Sequence, residues 1–235
     1  QSVLTARNID LRRRVKYKPR RKSTSSTEKD RAYRIDRNYD NFQQLVKDNP
    51  SLSIVEMDTV EGEKGGKVFL TMLFRNCNLM PIFLLESKTQ SEVARVFDEL
   101  TDKLGVELFN KIFQVILTDG GVEFQNPNQL ETTNSGKRRT SLYYCDPYCS
   151  WQKGAIEKNH EHIRFVLPKG SSFNHLNQEK AALLQNHINS EARDSLNGCS
   201  PYKLSQLLLD KKLHHAINLE EIAPDDVHLR PELLK

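Results

Sequence analysis

The stretch Ser53-Ile54-Val55-Glu56-Met57-Asp58-Thr59-Val60 alternates apolar and polar side chains and is rich in β-branched residues, so it predicts a half-buried strand. The run Glu61-Gly62-Glu63-Lys64-Gly65-Gly66 that follows has the composition of a turn. Residues 67–75 and 80–86 predict two further strands, and connections this short make the three an antiparallel meander. Asp58 stands out within it. A charged residue on a strand that must pack into a core needs a reason.

Downstream of the meander the period changes. Over 91–104 the apolar residues Val93, Val96, Phe97, Leu100 and Leu104 recur at helical spacing, with Ser91 as cap and Gly105 as stop. Residues 113–117 form a short buried strand closed by Thr118-Asp119-Gly120-Gly121, and 140–145 a fifth strand ended by Asp146-Pro147. A helix is predicted over about 152–166, stopped by Pro168-Lys169-Gly170. Two more follow over 177–193 and 200–209, the last with Ser200 capping and Pro201 in its first turn. The order β-β-β-α-β-(α)-β-α gives an α/β protein with a mixed five-stranded sheet flanked by helices, which fits the ribonuclease-H-like fold.

The 235 residues divide into a basic arm and linker over 1–50, a catalytic core over 51–209 and a polar, extended tail over 210–235. Within the arm a short helix is predicted over 39–47. Residues 7–37 hold 13 Lys or Arg against 4 acids, a net of +9, which leaves −5 on the rest of a chain whose total is +4. A basic arm on a mildly acidic body points to a polyanion, and Arg12, Arg13, Arg14, Lys16, Lys18, Arg20, Arg21 and Lys22 are its candidate phosphate contacts. No apolar run approaches the roughly 20 residues needed to span a bilayer, and the N-terminus lacks the apolar stretch of a secretory signal. Cys77, Cys145, Cys149 and Cys199 follow no disulfide spacing; Cys145 and Cys149 could be half a zinc site, but a partner pair is missing, and all four read as free thiols.

Asp58 on the first strand, Asp119 at the end of the fourth and Glu157 at the start of the next helix form the candidate catalytic constellation. If the first and fourth strands are neighbours, the two aspartates lie side by side and repel unless a cation stands between them. Three hard oxygen donors suit Mg²⁺ or Mn²⁺, and two such ions form the clamp for in-line displacement at phosphorus. Taken singly, Asp119 reads equally as an Asp-Gly turn, and Glu157 as a solvated helix residue. Glu56 shares a strand face with Asp58, and Glu161 a helix face with Glu157, so both compete for the role of ligand. Glu123 is expected to brace the loop after Asp119. His160 and His162 lie two apart on a helix, which argues against joint chelation. Trp151 is expected to anchor the loop that leads into this helix, with base stacking as the other reading.

Four ordered motifs carry a resemblance: Asp58-Thr59-Val60-Glu61-Gly62; Leu117-Thr118-Asp119-Gly120-Gly121-Val122-Glu123-Phe124; Asp146-Pro147-Tyr148-Cys149-Ser150-Trp151-Gln152-Lys153-Gly154-Ala155-Ile156-Glu157; and Arg164 with Pro168-Lys169-Gly170. Over roughly residues 54–205 the chain resembles the DDE transposases of bacterial insertion sequences, whose core is of the retroviral-integrase type. The resemblance implies Asp58, Asp119 and Glu157 as metal ligands and places Lys153, Arg164 and Lys169 near DNA. Lys158, Arg138 and Arg139 are further candidate phosphate contacts. Gly120 stands where the family usually has Asn, and Lys158 where Asn often follows the catalytic Glu.

The implied activity is metal-dependent cleavage at transposon ends and transfer of the 3′-hydroxyl into target DNA. A nuclease of the same fold without strand transfer, and a domesticated DNA-binding protein, are the alternatives. The resemblance further implies a homodimer or larger assembly on DNA, no membrane partner, and a bacterial cytoplasmic, nucleoid-associated location. The family usually places a helix-turn-helix before the core, so the segment that reads transposon ends is expected to lie ahead of Gln1.

Overall fold

The computed structural model describes residues 32–234. The arm cations Arg12, Arg13, Arg14, Lys16, Lys18, Arg20, Arg21 and Lys22 lie outside the described residues. The elements in chain order are α1 (Tyr39–Asp48), β1 (Ile54–Glu61), β2 (Val68–Phe74), β3 (Ile82–Leu85), α2 (Gln90–Leu104), α3 (Val106–Ile112), β4 (Val115–Thr118), α4 (Pro127–Glu131), β5 (Ser141–Tyr144), α5 (Gly154–Val166), α6 (Gln178–Ser190), α7 (Pro201–Leu208) and α8 (Lys211–Ala216).

The five strands make one mixed sheet in the order β3-β2-β1-β4-β5. The meander β1-β2-β3 is antiparallel, and β4 and β5 add in parallel on the other side of β1. This is the mixed five-stranded sheet expected from the sequence. Alternation along β1 divides its two faces. Val55 and Met57 join a core closed by α2, α3 and α8, whereas Val60 joins a second core closed by α5 and α6. Glu56 and Asp58 share the parity of Val60, so both acids lie on the α5 face.

One edge strand of the sheet is β3, and its outer side is covered by side chains instead of a strand. Three amides along one face of α6 meet it. Asn189 accepts from the Met80 N–H at 2.8 Å, Gln185 from Ile82 at 3.0 Å and Gln178 from Leu84 at 2.8 Å. Asn189 and Gln178 also donate back to the Met80 and Ile82 carbonyls. An open edge with unpaired N–H groups is a template for aggregation, and this amide row closes it.

The structure departs from the sequence reading in four places. Thr89, not Ser91, caps α2, its hydroxyl accepting from the Glu92 N–H. Gly105 stops α2 as expected, with a positive φ of 79°, but a second helix that was not expected, α3, starts at the next residue. Helix α5 starts at Gly154, after a 3-10 turn over Ser150–Lys153. The segment 210–234 is not extended: α8 buries Leu213 and Ala216 in the first core, packed on α2, and Leu229 and Leu234 are buried in the second core. Its polar look in sequence comes from residues on the outer side of short turns, which periodicity over a few residues does not resolve.

Candidate active site

Asp58 and Asp119 are brought together by strand register. The parallel ladder pairs Ile54 with Val115, Val55 with Ile116 and Glu56 with Leu117, and continued by two residues it sets Asp119 beside Asp58. Both carboxylates converge on one ammonium. Lys153 Nζ lies 2.9 Å from Asp58 Oδ2 and 2.8 Å from Asp119 Oδ2, and its side chain is only 5% exposed. The Lys153 ammonium is a stand-in cation between two hard oxygen donors, and the pair therefore fits a small divalent ion.

The electrostatics follow. Burial pushes the Asp58 carboxyl above its ordinary value, and the Lys153 charge and hydrogen bond offset this only in part. Burial works in the same direction on Asp119, but there Lys153, the Gly121 N–H at 2.9 Å and the Lys88 charge outweigh it, and the carboxyl falls below its ordinary value. Burial alone would lower the Lys153 ammonium, but the two aspartates raise it.

The loop after Asp119 is tightly built. The Thr59 hydroxyl donates to Glu123 Oε1 at 2.8 Å, and Lys88 pairs with Glu61 at 2.6 Å and approaches Glu123 at 3.4 Å. Glu123 is buried, and its Oε2 has no hydrogen-bond partner among the described residues. A Cβ on Gly121 would stand 2.7 Å from that Oε2 and 3.0 Å from Asp119 Oδ1, so only glycine lets the two carboxylates approach here.

Helix α5 has no side-chain cap of its own. Glu56 on β1 supplies one from across the fold: its Oε2 accepts from the Ile156 N–H at 2.8 Å while its Oε1 pairs with Arg75 at 2.7 Å. Arg75 in turn donates to the Gln152 carbonyl at 3.0 Å. Glu56, the acid that competes with Asp58 in the sequence, is thus held in a structural role at the start of the helix that carries Glu157.

Glu157 stands half-buried in the first turn of α5. Among the described residues, no three His, Cys, Asp or Glu side chains are gathered closely enough to hold a metal ion. The two aspartates are therefore the assembled part of the expected triad. The sequence reading did not single out His160 as a neighbour of Asp58. Its Nε2 lies 2.8 Å from the Thr71 hydroxyl and its Nδ1 4.0 Å from Asp58 Oδ2. Burial, with the nearby Lys153 and Arg164 charges, pushes the ring down to about 3, so it is neutral near pH 7. His162 faces elsewhere and lies 2.9 Å from Glu191.

The other candidate contacts separate. Arg138, Lys158 and Lys169 are exposed. Arg139 is not a surface cation: it is 1% exposed, pairs with Asp98 at 2.7 Å and donates to the Leu130 and Gln129 carbonyls. Lys153 is likewise buried, between the aspartates. Arg164 is half-buried and donates to the Glu61 carbonyl at 2.9 Å. Trp151 is no buried anchor: it is 69% exposed and meets Tyr39 edge-on. Cys145 and Cys149 are free thiols, and no zinc cluster forms around them among the described residues. No helix among these residues is long and apolar enough to cross a membrane.

No protein-family model matches the sequence. A transposase for insertion sequence element IS4351 of Bacteroides fragilis is 25% identical over 169 residues, 72% of this chain and 47% of that protein. The transposase of IS1086 from Cupriavidus metallidurans is 30% identical over 126 residues, 53% of this chain and 36% of that protein. Its sequence relatives are transposases of insertion sequences. The chain spans less than half the length of either. Among solved structures, the catalytic core of BIV integrase aligns over 66% of this chain and 95% of its own, at 16% identity and a TM-score of 0.43.

Proposed function

We propose that this chain is the catalytic core of a DDE-type DNA transposase that cuts at transposon ends and joins the exposed 3′-hydroxyl to target DNA. One observation carries the reading: two aspartates at the ends of neighbouring parallel strands share a single buried cation, Lys153 Nζ, in a chain related to transposases. Asp58 and Asp119 would hold Mg²⁺ or Mn²⁺, with Glu157 as a third donor. When bound, two such ions neutralise the charge that develops on the attacking and leaving oxygens at phosphorus.

The chain's own residues do the rest. The Gly121 N–H holds Asp119, Thr59 holds the neighbouring Glu123, and Glu56 fixes the start of the helix that carries Glu157. Lys153 balances the acid pair, and where the pair held a divalent ion its ammonium would be available to a phosphate. Exposed Arg138, Lys158 and Lys169, with the basic stretch 7–37, supply sequence-independent backbone contacts to DNA. A homodimer or larger assembly pairs two transposon ends.

The test is strand transfer by the full-length protein with labelled end DNA and Mg²⁺, comparing wild type with Asp119→Asn and Glu157→Gln. Wild type is expected to join ends, with each variant at least about 100-fold slower. Joining by both variants would sink the triad. Cleavage by wild type without any joined product would favour a nuclease.

A further inference from the structure

Seven large hydrophobic side chains are exposed among the described residues, and three of them lie within five residues of Asp119 or Lys153. Val122 follows Asp119 by three residues. Tyr148, 90% exposed, and Trp151, 69% exposed, precede Lys153 on the loop that joins β5 to α5. A single exposed apolar residue needs no explanation. Two aromatic rings turned outward on the loop that ends at the ammonium between the aspartates do.

The loop is tied from inside. The Gln152 side chain accepts from the Asp146 N–H at 2.7 Å and donates to Asp146 Oδ2 at 2.8 Å. The Cys149 N–H reaches the Asp146 carbonyl at 3.2 Å, and the Gln152 N–H the Cys149 carbonyl at 3.0 Å. Within the 3-10 turn Ser150–Lys153, Gln152 and Lys153 are turned in and Trp151 is turned out. Tyr39 meets the indole edge-on, with ring centroids 6.1 Å apart, which steadies the ring and leaves most of its surface open.

Trp151 and Lys153 are two residues apart, so their Cα atoms stand at most about 7 Å from each other. A DNA strand advances about 3.4 Å per nucleotide, so a phosphate at Lys153 and the aspartates brings the bases of the next one or two nucleotides within reach of the indole. Inside a duplex both faces of a base are covered by its neighbours, and a side chain can lie on that base only after it has left the stack. We propose that Trp151 is a stacking platform for a nucleobase that has left the duplex, one or two nucleotides from the phosphate at the acid pair, so that the site favours DNA with unpaired bases at the point of reaction.

This inference rests on the reading of the acid pair as the site of cutting and joining, and the experiment separates the two. Trp151 is the single tryptophan of the 235 residues, so the intrinsic emission of the chain reports on it alone. The chain is titrated with three duplexes of one sequence: fully paired, with a short central mismatch, and with the mismatched bases removed to leave abasic sites. Emission is followed for wild type, and anisotropy of labelled DNA for wild type, Trp151→Phe and Trp151→Leu. Strand transfer by the full-length protein is measured alongside. The mismatched duplex is expected to quench the emission and to bind at least about tenfold tighter than the paired duplex, and the abasic duplex to do neither. Trp151→Phe should keep most of this preference, whereas Trp151→Leu, apolar but without a ring, should lose it and still bind paired DNA within about threefold of wild type. Absent quenching, equal quenching by paired and mismatched DNA, or a preference that survives in Trp151→Leu or that abasic sites reproduce, overturns the platform. Emission that shifts with protein concentration alone also overturns it and assigns the indole to a contact between copies of this chain. Failure of the platform with strand transfer intact leaves the acid-pair reading standing. Quenching and preference in a protein that neither cuts nor joins DNA uphold the platform and sink the transposase reading.

Discussion

Glu56 on β1 accepts a hydrogen bond at 2.8 Å from the backbone N–H of Ile156, 100 residues away in the first turn of α5. The bond ties the sheet that carries Asp58 to the helix that carries Glu157, and it occupies a helix terminus that has no local cap. Glu56→Ala should uncap α5 and leave Arg75 without its 2.7 Å partner, costing about 2–3 kcal/mol. Urea unfolding should show a lower midpoint at an unchanged slope. Strand transfer should fall by on the order of 100-fold, because the helix start then moves relative to Asp58. Full activity at reduced stability would mean that the cap supports the fold and not the site.

Lys153 is the single cation on which the aspartates converge, so its loss should be felt most when no divalent ion is present. Lys153→Met leaves two carboxylates facing each other in a partly buried site, and breaking such a pair costs about 3 kcal/mol. Thermal melting in EDTA should show a marked drop relative to wild type. Added Mn²⁺ should then raise the midpoint of the variant more than that of wild type, because the ion no longer competes with an ammonium. An equal rise in both proteins would mean that Lys153 and the ion do not share a position.

Much of this arrangement was legible in the chain. The alternation 53–60 and the turn 61–66 define the meander, and the short run ending at Asp119 marks a buried strand beside it, because period-two patterning and glycine turns are local signals. Tertiary placement was not legible. Arg139 looks like a surface cation in a basic stretch, but it is buried because Asp98 and two carbonyls satisfy its guanidinium. Trp151 has the composition of an anchor, yet the 3-10 turn ahead of α5 faces it outward. His160 meets Asp58 only through the packing of α5 on β1 and β2, and neither sequence position carries a trace of the other.

Gln185 is the central amide of the row that covers β3. It accepts from Ile82 at 3.0 Å and donates to the Ile217 carbonyl at 3.1 Å, fully buried. Gln185→Leu is nearly isosteric but strands a buried N–H and a buried carbonyl, at a cost of about 1–3 kcal/mol. The variant should also aggregate on heating at concentrations where wild type does not, because the edge is opened. Light scattering during a thermal ramp measures this, and scattering identical to wild type would show that the neighbouring amides suffice.

His214 offers a pH test of whether residues beyond 209 belong to the folded core. It is buried on α8, with the Ser205 hydroxyl at 3.0 Å from Nε2 and the Gln206 amide at 3.3 Å from Nδ1, both on α7. The Tyr202 ring also packs against it, and His215, Lys211 and Asp210 are the charged or titratable groups around it. Burial and the His215 charge hold its pKa below the ordinary 6.5. Above that pH the ring is neutral folded or unfolded, and its contribution to stability is whole. As pH falls below 6.5 the unfolded chain takes up a proton that the folded chain refuses, so stability drops by up to about 1.4 kcal/mol per pH unit from this group. His214→Gln cannot titrate, so between about pH 6.5 and 5 its unfolding free energy should fall less steeply than that of wild type, by up to one proton. Urea denaturation across that range measures both slopes. Parallel slopes would mean that His214 titrates freely and that α8 is not held against α7 in solution.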